Sequence, residues 1–227
     1  MVDGNTFGDR KEGTYKKILG LQQLERMGFP VPPYVIIDVK ENQHSNLKRY
    51  ILEKINLIGV PCEEGDRVGV TIRVSVPGEL DKTARHGGLH VTDVEEVIKR
   101  VIAKYNEYKP YGKVIIQHTV DAKASGTILK EGNYATVEVV VGDAPRLLEG
   151  RTTNYERWIF DLNSGKWNKD KSYIFDGKIK TILNSEELRK LEKYIKVLPN
   201  DVYLEWSLSK NGKLYFYEYT RLSGFKI

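Results

Sequence analysis

The chain has 227 residues, 40% of them hydrophobic and 30% charged, with a formal net charge of +5. That balance excludes a disordered chain and allows one large or two small domains with a proper core. The single cysteine, Cys62, excludes an intramolecular disulfide and a thiolate metal cluster.

No apolar run approaches the ~18 residues of a membrane span, and MVDGNTFGDRKEG carries no apolar signal-peptide core, so a cytoplasmic protein without a membrane partner is expected. The positive charge suits an anionic partner, whether nucleotide phosphate, nucleic acid or an acidic protein; a lysine-rich solvated surface accounts for it equally. Few Met and Cys beside many Lys, Glu and Tyr fit a heat-adapted, thermophilic protein.

In chain order, TYKKILGLQQLERM (14–27) places Ile18, Leu19, Leu21 and Leu24 close to helical spacing, and Gly28 marks its stop. VPPYVIIDV reads as a strand entered through prolines. NLKRYILEKINL (46–57) is a second amphipathic helix. RVGVTIRVSV alternates, with Val68, Val70, Ile72 and Val74 on one face and Arg73 and Ser75 on the other. Thr92 and Glu95 form a capping box that opens a helix to about Tyr105.

From Lys113 onward strands dominate: KVIIQHTV, SGTILK, YATVEVVVG, ERWIFDL and SYIFD. One helix interrupts them near 186–197, capped by Asn184 or Ser185. The break at Lys109-Pro110-Tyr111-Gly112 divides a helix-rich half, 1–110, from a sheet-rich half, 111–227. The class is α+β.

The closing stretch LEWSLSKNGKLYFYEY (204–219) reads as a hairpin, because Asn-Gly suits a two-residue type I′ turn. If Asn211-Gly212 is that turn, Lys210 faces Lys213 and Glu205 faces Glu218. Leu204, Trp206 and Leu208 then share an apolar face with Tyr219, Tyr217 and Tyr215. The opposite face pairs Tyr203, Glu205 and Ser207 with Thr220, Glu218 and Phe216. Like charges directly opposite destabilise a sheet. Such a pair shares a proton, shares a cation such as Mg²⁺, or splays into solvent screened by lysines.

A family resemblance joins these segments. GLQQLERMGFPVPPYVI is similar to the N-terminal signature of phosphoenolpyruvate synthase and pyruvate phosphate dikinase, whose nucleotide-binding domain has an ATP-grasp fold. VTIRVSV, KVIIQHTVDAKASGTILK, LLEGRTTN and VYLEWSLSKNGKLYFYEYTR resemble further family segments, in the family's order, over about residues 14 to 221. The resemblance implies an ATP-grasp-like protein of two lobes with a cleft between them, the second lobe mainly antiparallel sheet.

The resemblance also implies roles. Lys17 stands where the family has its phosphate-binding lysine, with Lys16 the alternative one residue earlier. Arg73 matches the arginine that grips the triphosphate, a task suited to a guanidinium fork. Gln117, His118, Thr119 and Val120 match the segment between the lobes that binds adenine, and Asp121 could accept from a ribose hydroxyl. Glu205 and Glu218 fall where the family has a metal-binding acid and a glutamine. ATP and Mg²⁺ are the implied cofactors. The implied activity is phosphoryl transfer from ATP, as a phosphotransferase, kinase or ligase. The acceptor would be a histidine on a separate phosphohistidine-domain protein, or a small-molecule carboxylate or hydroxyl.

Several departures bear on this. The family's Gly-Gly-Lys is Thr14-Tyr15-Lys16-Lys17 here, Arg-Ser-Ser is Arg73-Val74-Ser75, and a Tyr, Tyr34, follows Pro-Pro. A family loop near the phosphates corresponds to His86-Gly87-Gly88, with His90 beyond; loop histidines without a role are the plainer account, as for His44 and His118. These departures sustain a rival expectation, a non-catalytic module that binds nucleotide, nucleic acid or a protein partner.

Overall fold

A computed structural model describes residues 15–38, 46–60, 67–77, 91–109, 112–142, 155–170 and 181–222. The elements run α1 (Lys16–Arg26), β1 (Tyr34–Ile37), α2 (Leu47–Ile58), β2 (Arg67–Ser75), α3 (Val94–Tyr108), β3 (Lys113–Val120) and β4 (Ala122–Glu131). They continue with β5 (Tyr134–Val141), β6 (Glu156–Asp161), β7 (Lys166–Lys169), α4 (Ser185–Val197), β8 (Val202–Ser209) and β9 (Leu214–Arg221).

Two antiparallel sheets organise the molecule. The first has the order β1-β3-β2 and the second β7-β6-β5-β4-β8-β9. Lys113–Val120, beyond the expected break at 109–112, is the central strand of the first sheet. The chain changes sheet at one residue, Asp121, between β3 and β4.

Each sheet buries one face on helices. Ile51 and Ile55 of α2, with Val97, Ile98, Val101 and Tyr105 of α3, cover Val70, Val114 and Ile116 of the small sheet. Helix α4 lays Leu188, Leu191 and Ile195 on Ile128, Val137, Phe160, Leu204 and Trp206 of the large sheet. Helix α1 stands between the two sheets, packing Ile18 and Leu21 on Ile115. Its Gly20 lies against β9, where an added Cβ would meet the Tyr219 carbonyl oxygen at 2.9 Å. Gly28, at φ +73°, closes α1 with bonds from its own N–H to Glu25 O and from Phe29 N–H to Leu24 O, the Schellman pattern.

Some local readings shift. The N-cap of α3 is Asp93, whose carboxylate accepts from Glu96 N–H, one residue later than the Thr92 box predicted. Asn184 does cap α4, in a full box with Glu187. Strand β7 (KWNK) is too hydrophilic to announce itself. The predicted strand SYIFD, the LLEGRTTN segment, Gly13, Thr14, His44, His86 and His90 lie outside the described residues.

The closing hairpin corrects the expectation in two places that cancel. The turn is a three-residue loop, Lys210–Gly212: Ser209 N–H donates to Lys213 O at 2.8 Å and Gly212 N–H to Ser209 O at 2.9 Å. Only Gly212 takes a positive φ, +77°, as a type I turn with a following left-handed glycine requires. Ser209, not Lys210, therefore faces Lys213. The pairing runs Leu208↔Leu214, Ser207↔Tyr215 and Trp206↔Phe216, and a bulge then leaves Tyr217 over. Phe216, expected beside the acids, is instead fully buried in the core with Trp206. The extra turn residue and the bulge offset each other, so Glu205 still pairs with Glu218.

Candidate functional site

Strand alternation decides what faces the gap between the sheets. With Leu204 and Trp206 in the core, Tyr203, Glu205 and Ser207 of β8 occupy the other face. The pairings Glu218↔Glu205, Glu205↔Thr127, Thr127↔Glu138 and Glu138↔Arg157 align these residues in one row across five strands. Arg157 donates to Glu138 Oε1 from Nε and Nη2 at 3.1 and 2.6 Å.

Opposed to this row is a face of the small sheet. Thr71, Arg73 and Ser75 of β2 pair with Gln117, Ile115 and Lys113 of β3, on the side against which α1 packs. Arg73 crosses between the sheets: its Nη2 lies 3.3 Å from Glu218 Oε2, and its Nη1 donates to Tyr217 O at 3.4 Å. Both side chains are largely withdrawn from solvent, at 16% and 25% exposure. Lys17, in the first turn of α1, donates to Val74 O at 3.3 Å and is half-buried, whereas Lys16 is exposed. The geometry thus favours Lys17 over Lys16 as the cation at this place.

Electrostatics show what the acid pair lacks. Burial, then the charge of Glu218, pushes the Glu205 carboxyl up to about 7 from its ordinary 4.5. Arg73, the Tyr203 hydroxyl and Lys17 pull it back without restoring it. Tyr203 Oη donates to Glu205 Oε1 at 3.4 Å; burial, then Glu205 and Glu218, hold its phenol well above the usual range. Glu205 thus carries a charge that its buried surroundings do not fully compensate.

The predicted inter-lobe segment lies at the end of the central strand of the first sheet. Gln117, His118, Thr119 and Val120 are all buried. His118 Nε2 is 3.0 Å from Gly59 O, and Thr119 Oγ1 is 2.8 Å from Thr71 Oγ1. Strand β1 pairs with β3 only as far as Gln117, with one further bond from His118 N–H to Pro33 O; no strand follows on that side among the described residues. Asp121, at the change of sheet, is held by Lys210, whose Nζ is 2.9 Å from Oδ2 and whose N–H donates to Asp121 O. Its carboxylate is thus engaged with the hairpin turn. Gln117 Nε2 is buried with no hydrogen-bond partner, at a cost of about 1–3 kcal/mol.

Sequence reasoning assigned Lys17, Arg73, Glu205 and Glu218, and the fold brings all four together. It placed Tyr203 on the face of Glu205 by alternation without giving it a role, and it missed Glu138 and Arg157. Glu138 and Arg157 need the strand order, which no single segment carries.

No family model matches the chain, and no curated protein matches it. Among solved structures the chain is similar to D-alanyl-alanine synthetase A from Vibrio cholerae, at 10% identity and TM-score 0.46, over 92% of this chain and 55% of that one. It is similar to an ADP complex of N5-carboxyaminoimidazole ribonucleotide synthetase, at 13% and 0.49, over 92% and 45%. A D-alanine–D-alanine ligase from Bacillus anthracis complexed with ATP matches at 10% and 0.47, over 92% and 53%. The chain spans about half the length of these proteins. Likeness of this degree defines neither a family nor an activity. What the fold itself defines is an α+β chain of two antiparallel sheets, with an acid pair between them and Arg73 of the small sheet reaching Glu218.

Proposed function

We propose that the chain binds a magnesium–nucleotide complex, with ATP as the nucleotide, between its two sheets. The observation that carries this reading is convergence. Four residues from four separate elements, Lys17, Arg73, Glu205 and Glu218, meet at one place. The ordered resemblance to the phosphoenolpyruvate synthase nucleotide domain assigns phosphate and metal roles to the same four.

The donor chemistry fits. Mg²⁺ takes one or two carboxylates and completes its shell with phosphate oxygens and water. Glu205 and Glu218 would hold it, and no group of three or more metal-ligating side chains competes among the described residues. When bound, the ion supplies charge neutralisation at the phosphates. The chain's own residues do the remainder. Arg73 moves from Glu218 to phosphate, exchanging one anion for another with the same guanidinium fork. Lys17 adds a second cation at the phosphoryl oxygens. Gln117 Nε2 offers its unmet N–H to the nucleotide. Catalysis of this kind is positioning plus electrostatic stabilisation of the transferred group.

Phosphoryl transfer to an acceptor carried by another molecule follows as the proposed activity, whether the acceptor is a carboxylate, a hydroxyl or a histidine of a partner protein. The eroded Gly-Gly-Lys segment favours the second reading, nucleotide binding without turnover. Titration calorimetry with ATP in the presence and absence of Mg²⁺ tests the binding common to both. Expected is Mg²⁺-dependent binding, weakened at least about tenfold in Glu205→Gln and in Glu218→Gln. Equal Mg²⁺-dependent binding in wild type and both variants overturns the assignment. ADP release on incubation with ATP separates turnover from binding alone.

A further inference from the structure

A cavity of about 320 Å³ lies beside the hairpin turn, away from the acid pair and sharing no residue with it. Its apolar lining comes from Pro30, Leu214 and the ring of Tyr194, with Tyr215 also at its edge. Tyr194 is held in place by Phe29 and Phe216, each with ring centroids 4.9 Å from its own. The wall is therefore preformed. The volume lies at the lower end of the range for small-molecule sites.

Three lysines surround this apolar pocket: Lys190 and Lys193 from α4, and Lys213 from the end of the hairpin turn. No carboxylate lines it. Lys190 is positioned by donating to Gly212 O at 3.2 Å and by a 3.4 Å pair with the exposed Glu186. The Lys193 and Lys213 side chains are exposed, with no ion-pair partner among the described residues. Lys193 and Lys213 thus bring two positive charges without an ion-pair partner among the described residues to this cavity, which favours a bound anion over a neutral ligand. The apolar walls add a second requirement, because they gain only by covering apolar surface.

We propose that this cavity is a second ligand site, taking a small organic anion: a carboxylate or phosphate carried on an aromatic or apolar body. The test is NMR titration of the full chain with phenyl phosphate and with benzoate, following the backbone signals of residues 190–194 and 212–215. Inorganic phosphate and benzyl alcohol are the controls for charge without body and body without charge. Expected is a saturable shift of those signals with at least one of the two anions, the tighter naming the preferred headgroup. Both controls bind at least about tenfold more weakly, and the Lys193→Gln/Lys213→Gln double variant loses at least about tenfold in affinity with its melting temperature unchanged. Absence of saturable shifts at millimolar probe overturns the proposal. So does equal affinity in the double variant, or inorganic phosphate binding as tightly as phenyl phosphate. None of residues 190–194 and 212–215 belongs to the nucleotide site, so this result and that of the nucleotide site are read separately.

Discussion

Glu205 is a buried carboxyl pushed well above its ordinary value, and the sign of that shift sets a pH dependence. Its carboxyl titrates near 7 in the folded protein against 4.5 ordinarily. The folded state holds a proton that the unfolded chain releases, so the contribution is fully present below pH 4.5 and lost as pH rises through 7. We expect the metal-free protein to lose stability over that window. Glu205→Gln removes the loss, and the gap between variant and wild type widens with pH by on the order of 1–3 kcal/mol. Urea denaturation at pH 4.5, 6 and 8 measures it; parallel curves for the two proteins would contradict the account. Lys130 makes a contrasting case. Its ammonium is buried and donates to Ile195 O and Leu198 O at the end of α4, and burial draws its pKa below 10.5. Lys130→Met leaves those carbonyls without their donor and should cost about 1–3 kcal/mol in the same assay. A neutral result there would mean that water replaces the cap.

Two glycines decide how closely elements approach. At Gly126 in β4 an added Cβ would lie 1.8 Å from the Glu138 carbonyl oxygen, a separation only backbone movement relieves. Gly126→Ala should therefore lower stability by about 1–3 kcal/mol and disturb the Glu138–Arg157 pair. Gly20→Ala lifts α1 off β9 and moves Lys17 with it, so weaker ATP binding is expected at nearly native stability. Unchanged ATP affinity in a folded Gly20→Ala protein would remove Lys17 from the site. The hairpin shows how far one element can be read in sequence. Asn-Gly named the turn region correctly and its type wrongly, because Asn211 does not take the left-handed conformation that a two-residue turn demands. The Glu205–Glu218 pairing survived because the bulge at Tyr217 restores the register. Nothing in YFYEY marks which tyrosine is extruded; burial of Phe216 against Trp206 selects it.

For the molecule as a whole, local periodicity revealed the helices and most strands, and the α+β class follows from them. It did not reveal that β3 belongs to the first sheet, because KVIIQHTV is apolar enough for either. Nor did it give the order β7-β6-β5-β4-β8-β9, which depends on long-range pairing that no local pattern encodes. That order is what carries the polar row from Glu218 to Arg157. The central claim is that a divalent ion and a triphosphate belong between the sheets at the Glu205–Glu218 pair. Its most direct measurement is paramagnetic broadening of backbone NMR signals by Mn²⁺ in the presence of ATP. The account predicts loss of the signals of residues 203–206 and 217–219 first, at the lowest Mn²⁺. Those signals remaining sharp while another region broadens would contradict it.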